Sequence, residues 1–295
     1  MGQRTKIDWC DATWNPVTGC LHGCEYCYAR KIAERFASKQ MPIFTDFPVL
    51  YEPLRCTDTY EYMREAGISA GKVQPYPFDF TPTFHKYRLR IPQGWKKPRN
   101  IFVCSMADLM GRWIPEAWKQ GVIAACKAAP QHRYLFLTKN PYGYGIWPTK
   151  DGPIEHEFDQ ENFWLGCSLT GCEDLSRYDG HYGRYLYAMG GNLLPGKAHR
   201  FVSIEPILTD VMELPGYHGS ALGEWIADDR YAGHGEWVII GAETGNRKDK
   251  VTPKRAWIEK IVEACKKAGK PVFMKESLRQ IMGEDFVQQF PWDHA

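Results

Sequence analysis

An α/β fold with one parallel sheet or barrel of about six strands is what the sequence predicts, and three observations predict it. Six short apolar or β-branched runs recur along the chain. Segments with helical periodicity and start or stop signals lie between several of them, and no internal repeat or low-complexity tract offers a rival architecture. Strands alternating with crossover helices pair in parallel, because a parallel neighbour is reached only through a long connection.

In chain order, a first strand is expected around Pro16 to Thr18, just ahead of a cysteine-rich loop and a first helix. The stretch from Gln40 to Asn100 breaks the rhythm with prolines and aromatics and reads as an insertion after that helix. Strands resume at Ile101 to Cys104, Tyr134 to Thr138, Trp164 to Leu169, Arg200 to Ile204, Trp237 to Ile240 and Pro271 to Met274. Pro115 suits the first turn of a helix over Glu116 to Ala129, in which Val122, Ile123 and Cys126 share a face. Thr252 and Pro253 read as an N-cap and first-turn pair opening a helix that buries Trp257, Ile261 and Val262 and stops near Gly269.

At 295 residues the chain can bury a full core, so residues 1–295 are read as a single catalytic domain with an insertion at about 40–100. Lys and Arg number 37 against 35 Asp and Glu, a formal net charge of only +2, so any nucleic-acid contact must come from a local patch. The insertion's tail offers one in Lys86, Arg88, Arg90, Lys96, Lys97 and Arg99, set among Tyr76, Phe78, Phe80, Phe84 and Tyr87. That mixture suits phosphates and stacked bases, and equally a solvated face. No apolar run is long enough to cross a bilayer and the start MGQRTKIDWCDATW has no apolar signal core, so a cytoplasmic protein with no membrane partner is expected. Its ten cysteines are then expected to stay reduced, for metal binding, catalysis or packing.

Three of them carry the functional argument. Gly19-Cys20-Leu21-His22-Gly23-Cys24-Glu25-Tyr26-Cys27-Tyr28 is a C-x3-C-x2-C run between a strand end and a helix start. Three thiolates so spaced can wrap three irons of a [4Fe-4S] cubane and leave the fourth open, unlike the four-thiolate shell of an electron-transfer cluster. A zinc site and buried structural thiols compete with that reading. Structural zinc wants four protein ligands, commonly from two short-spaced motifs, and no second motif of that kind is present. Cys167 and Cys172 could bind an auxiliary centre, with packing the better account of Cys167.

The loop resembles the radical S-adenosylmethionine superfamily, whose motif has the same spacing and an aromatic before the last cysteine. The closer likeness is to its spore photoproduct lyase-like branch and to phage three-cysteine-motif proteins, in short segments from Trp9 to Glu276. The resemblance implies a partial (β/α) TIM-type barrel with the cluster loop after the first strand and the cofactor across the strands' carboxyl ends. It implies a [4Fe-4S] cluster on Cys20, Cys24 and Cys27, S-adenosyl-L-methionine as cofactor, and a reducing partner such as flavodoxin or ferredoxin.

Within that likeness, Phe136-Leu137-Thr138-Lys139 resembles the segment whose lysine meets the cofactor carboxylate, and Gly166-Cys167-Ser168 the one that binds the methionyl moiety. Tyr26, Tyr28, Ser105 and Glu205 complete the implied cofactor shell, Tyr26 as an aromatic wall. Cys104-Ser105-Met106-Ala107-Asp108 departs from the lyase pattern: with Asp108 matched, Cys104 falls one residue early, which on a strand turns the side chain to the opposite face, and Cys104 then packs in the core. If the strand assignments hold, Asp108, Glu205, Glu243 and Lys275 line one mouth. Glu205, Glu243 and Asp108 are accordingly the candidate catalytic groups for a polar substrate. The substrate implied is a nucleic-acid base or nucleotide, with a small metabolite or peptide as the alternative within the class and a non-catalytic zinc-binding nucleic-acid module as the alternative outside it. Cys10, Cys56, Cys126 and Cys265 receive no role.

Overall fold

Seven strands run parallel in one curled, open sheet in the computed structural model, which describes residues 5–36, 46–55, 71, 73–144, 157–171, 174, 197–213, 221–227 and 235–293. They are β1 (Ala12–Trp14), β5 (Asn100–Val103), β6 (Arg133–Thr138), β7 (Phe163–Leu169), β8 (His199–Ile204), β9 (Trp237–Ile240) and β10 (Val272–Met274), in the spatial order β1-β5-β6-β7-β8-β9-β10. This is the partial barrel expected, with each of the six strand runs in place to within two residues. Cys56, Cys172 and part of the 40–100 insertion lie outside the described residues.

The first strand is displaced from its expected position. Ala12–Trp14 pairs with Ile101–Val103 and forms the sheet's first edge. Val17–Thr18 is instead β2 of a three-stranded sheet with β3 (Val49–Leu50) and β4 (Thr83–His85), in the order β2-β4-β3. Asn15 and Pro16 divide the two, since proline cannot donate to a ladder and a β1 continued through it would break.

Alternation along the strands builds two cores. Side chains such as Val103, Phe136, Leu165, Val202, Ile240 and Met274 face outward to the helices α2 (Glu116–Lys127), α3 (Ala221–Ala227) and α4 (Arg255–Lys267). The intervening positions face the hollow of the sheet, where Phe102, Leu135, Trp164, Phe201, Trp237 and Phe273 form a second cluster with Trp9. A strand buried on both faces is apolar almost throughout, which is why β7 reads Phe-Trp-Leu-Gly-Cys-Ser-Leu rather than alternating. Gly166 is required within it: a Cβ there would sit 2.3 Å from the Phe201 ring.

Helix α2 starts one residue after Pro115, which occupies the N-cap position rather than the first turn. Val122, Ile123 and Cys126 are buried, as expected. Helix α4 begins later than Thr252-Pro253 suggests, with Lys254 at the N-cap. Its core row is Ile258, Ile261 and Cys265, while Trp257 and Val262 are only partly buried. The stretch before it is not helical: Lys254 is extended, and the Val251 amide donates to Glu243 Oε2 at 3.4 Å. Gly269, at φ +66°, ends the helix as expected: in that left-handed conformation it lets Lys270 N donate back to Cys265 O.

The small sheet covers α2, with Phe84 stacked on Trp118 at 5.2 Å. His85 is fully buried against Thr18, its Nε2 2.9 Å from Thr18 Oγ1, and burial lowers its pKa to about 3. At the other edge, residues 286–290 lie along β10: Met274 N donates to Val287 O and Gln289 N to Val272 O. Trp292 and Phe290 then join Trp237 beneath the hollow. No helix among the described residues is long and apolar enough to cross a membrane.

Candidate active site at the carboxyl mouth of the half-barrel

The cysteine loop is hooked to the mouth by its backbone before any side chain contributes. Gly19 N donates to Met106 O and Cys20 N to Phe80 O. Gly19 has φ +89°, and a Cβ there would meet the Thr81 carbonyl oxygen at 2.3 Å, so only glycine passes. Cys27 N donates to Cys24 O, closing the last turn before helix α1 (Tyr28–Phe36), and Arg30 N donates to Cys27 Sγ at 3.4 Å. Cys20 and Cys27 lie half-buried against Ala29, Ala33, Phe80 and Met106.

Asp108 fastens this loop to the sheet. Its Oδ1 accepts from Thr138 Oγ1 at 2.6 Å and Met110 N at 3.1 Å, and its Oδ2 accepts from Lys139 N at 2.9 Å. His22 Nε2, inside the cysteine motif, lies 2.7 Å from the same Oδ2, with the ring edge-on to Trp113 at 4.8 Å. A buried carboxylate with four partners is a structural anchor, and sequence reasoning offered no reason to single out His22.

Lys139 donates its Nζ to Tyr26 OH at 2.9 Å and lies 5.4 Å from that ring, so the strand-end cation does meet the cysteine loop. Burial raises the Tyr26 phenol, against the pull of Lys139, and keeps it a neutral acceptor. Tyr28 OH donates to Ser105 O at 2.8 Å, while the Ser105 hydroxyl donates to Asn15 Oδ1 at 3.2 Å. Asn15 also accepts from Met106 N and, through its carbonyl, from Arg88, a second organiser that no motif signalled.

Across the mouth, Glu205 and Lys275 form an ion pair over Gly241, where an added Cβ would lie 3.0 Å from Lys275 Cδ. Ser168 is half-buried on the hollow-facing side of β7, in register with Ser203, whose Oγ is buried without a partner among the described residues. Glu243 is taken up differently: Arg247 grips it through Nε–Oε1 at 2.7 Å and Nη2–Oε2 at 2.8 Å and also reaches Glu25 of the cysteine loop at 3.6 Å. The Arg247 guanidinium holds the Glu243 carboxyl below the usual carboxylate range. Cys104 is buried at φ +56° and its thiol is pushed up to about 12 by burial, which suits packing; Cys126, Cys167 and Cys265 are buried too.

The donor set of the loop fits an iron–sulfur group. Three thiols share one loop, and burial, with Asp108, Cys24 and Cys27 adding to it, pushes Cys20 up to about 12, so metal must displace its proton. Among the described residues no three His, Cys, Asp or Glu side chains are gathered as around one metal ion.

Fold and site together define a parallel α/β half-barrel protein that carries a three-cysteine loop at its carboxyl mouth. The chain belongs to the DUF5131 family, described as a protein of unknown function, whose model matches residues 4–282. Among solved structures, spore photoproduct lyase complexed with dinucleoside spore photoproduct is similar at a TM-score of 0.46 and 11% identity, over 98% of this chain and 79% of that one. A point variant of that lyase gives 0.48 and 11%, and a double variant with bound AdoMet and dinucleoside spore photoproduct gives 0.43 and 10%, at the same coverage. No curated protein matches the chain.

Proposed function

We propose that the chain is a radical S-adenosylmethionine enzyme acting as one catalytic domain over residues 1–295, and the observation that carries the reading is the seating of the C-x3-C-x2-C loop. The loop is pinned to the carboxyl end of a parallel half-barrel by Gly19, Cys20 and the Asp108–His22 contact, with Lys139 brought against it. In parallel sheets that end is where ligands are held. Cys20, Cys24 and Cys27 would hold a [4Fe-4S] cluster. When bound with S-adenosylmethionine, the cluster supplies a 5'-deoxyadenosyl radical that abstracts hydrogen from substrate.

The chain's own residues orient and shield. Lys139 leaves Tyr26 to meet a carboxylate, and Ser168 offers a hydroxyl from the hollow. Tyr26 and Tyr28 wall the loop side, Tyr28 holding the Ser105 carbonyl. Glu205, paired with Lys275 through Oε1, has its second carboxylate oxygen to offer a substrate hydroxyl or amine, as acceptor or base. Asp108 and Glu243 act as positioning groups, because Asp108 holds the loop and Arg247 claims both oxygens of Glu243. The aromatic floor of Trp164, Phe201 and Trp237 keeps water from entering beneath.

A nucleic-acid base or nucleotide is the substrate we favour. The support is an exposed cation set over an exposed aromatic ring on the insertion, Lys86 over Tyr51 at 4.8 Å. A flavodoxin or ferredoxin would supply the electron. The test is anaerobic purification with iron and sulfide reconstitution, followed by reduction, EPR with and without S-adenosylmethionine, and assay of 5'-deoxyadenosine. A [4Fe-4S] signal that shifts on cofactor addition, with cleavage abolished in Cys24→Ala, is expected. Zinc-loaded protein without cleavage would overturn the reading.

A further inference from the structure

The opposite end of the half-barrel, at the strands' amino termini, holds a cavity of about 830 Å3, within the range of small-molecule sites. Two arginines that line it each lie over an aromatic ring and leave most of their donors unclaimed. Arg133 opens β6, with its guanidinium carbon 4.3 Å from the centre of the Trp292 ring, and Arg99, just before β5, lies 4.9 Å from the centre of Trp95. Their backbones are neighbours, since Arg133 N donates to Arg99 O, and both residues line the cavity.

Among the described residues, Arg133 makes one side-chain hydrogen bond, to Asn100 Oδ1 at 2.7 Å, and the Arg99 guanidinium makes none, its Nε being buried without a partner. A guanidinium carries five donors, so most of this pair's capacity is unclaimed. Burial lowers the pKa of Arg133, which is to say that its charge is held there at a cost. An aromatic stack holds a guanidinium plane in place while leaving its fork open, the arrangement that recognises phosphate bidentately.

The rest of the wall suits the body of a nucleotide. His199, stacked at 4.4 Å and 15° on the buried Trp164, presents a planar face. The acidic neighbours are partly engaged elsewhere, though the Asp11 charge still reaches Arg133. Asp11 Oδ2 accepts from Asn100 N, and Glu236 is spent on His199 Nδ1 at 2.5 Å and Arg200 N at 3.2 Å. Glu161 stands exposed at the rim, suited to accept from a ribose hydroxyl or an exocyclic amine.

We propose that this amino-end cavity is a second ligand site, taking a nucleoside phosphate with the phosphate on Arg99 and Arg133. The proposal is independent of the cysteine loop. Titration calorimetry on the full chain with ADP, adenosine and inorganic phosphate tests it. Saturable ADP binding is expected, weakened by roughly tenfold or more in Arg99→Gln/Arg133→Gln as charge-assisted hydrogen bonds are lost, partly restored by Arg133→Lys, and unchanged in Cys24→Ala. A thermal melt confirms that the double variant is folded. ADP binding that survives the double substitution, adenosine that binds as tightly as ADP, inorganic phosphate that binds as tightly as ADP, or no ADP binding at millimolar concentration would each overturn it.

Discussion

The two layers of the hollow are made by the same strands and held by different forces. The amino-end layer is aromatic: Trp9, Trp164, Phe201, Trp237 and Phe273 interlock, with Trp9 and Phe102 at 4.6 Å and Trp237 and Trp292 at 5.2 Å. Two to four residues further along the strands, the carboxyl layer turns small and polar, with Ser168, Ser203, Gly241 and the Glu205–Lys275 pair. The lower layer draws its stability from packed area, whereas the upper layer is set by hydrogen bonds in which Asp108 is the hub. Stability and chemistry are thus partitioned along each strand, and substitutions should separate them.

The largest effect is expected at the aromatic layer. Trp237→Ala should cost about 3–5 kcal/mol by removing a fully buried ring, measured by denaturant unfolding, while iron bound per folded molecule after reconstitution stays level. A fall in iron loading among the folded molecules would show that the two layers are not separable. Asp108→Asn comes next: about 1–3 kcal/mol for a carboxylate replaced where Thr138, Lys139 and His22 all point at it, with iron loading falling more than stability does.

Acid should distinguish the flank from the mouth. The folded His85 pKa of about 3 lies below the ordinary 6.5, so the unfolded chain takes up the proton first. Its contribution is full above pH 6.5 and is lost as pH falls towards 3, at up to about 1.4 kcal/mol per pH unit. His85→Gln should flatten that slope in unfolding measured across the range; an unchanged slope would assign it elsewhere. The smallest effect belongs to Glu243. Arg247 depresses its pKa, so its stabilisation is present above the unfolded carboxyl value and lost as pH falls through the folded one. The gap in melting temperature between the wild type and Glu243→Gln should therefore shrink on acidification to pH 3.

Much of the architecture could be read from the sequence because six of the seven main strands are continuous apolar runs between helical segments. The exception, Ala12–Trp14, is three residues long and carries a central threonine, too little periodicity to mark it, so the nearby Val17–Thr18 drew the assignment instead. At the mouth, the cysteine spacing and the strand-end Lys139 are local signals and were legible. The partners that decide what each acid does are not local. Asp108 meets His22 across 86 residues and Lys275 meets Glu205 across 70, and only folding pairs them. Glu243 fails for a different reason: its partner Arg247 is local, four residues on, but no catalytic pattern distinguishes that arginine from a solvent-facing charge. The insertion's basic residues likewise disperse, with Arg88 spent on the Asn15 and Pro75 carbonyls and Arg99 sent to the far end.

The tail along β10 has a consequence for how the molecule is made. Glu276 N donates to Asp8 Oδ2 across 268 residues, and Trp9 shares the floor of the hollow with Phe290 and Trp292, so the first and last described segments complete one another. On a ribosome the early strands must wait with that floor unfinished until Phe290 and Trp292 have emerged. Closure is then a late, long-range event of the kind that slows folding and leaves aromatic surface open to chaperones in the meantime.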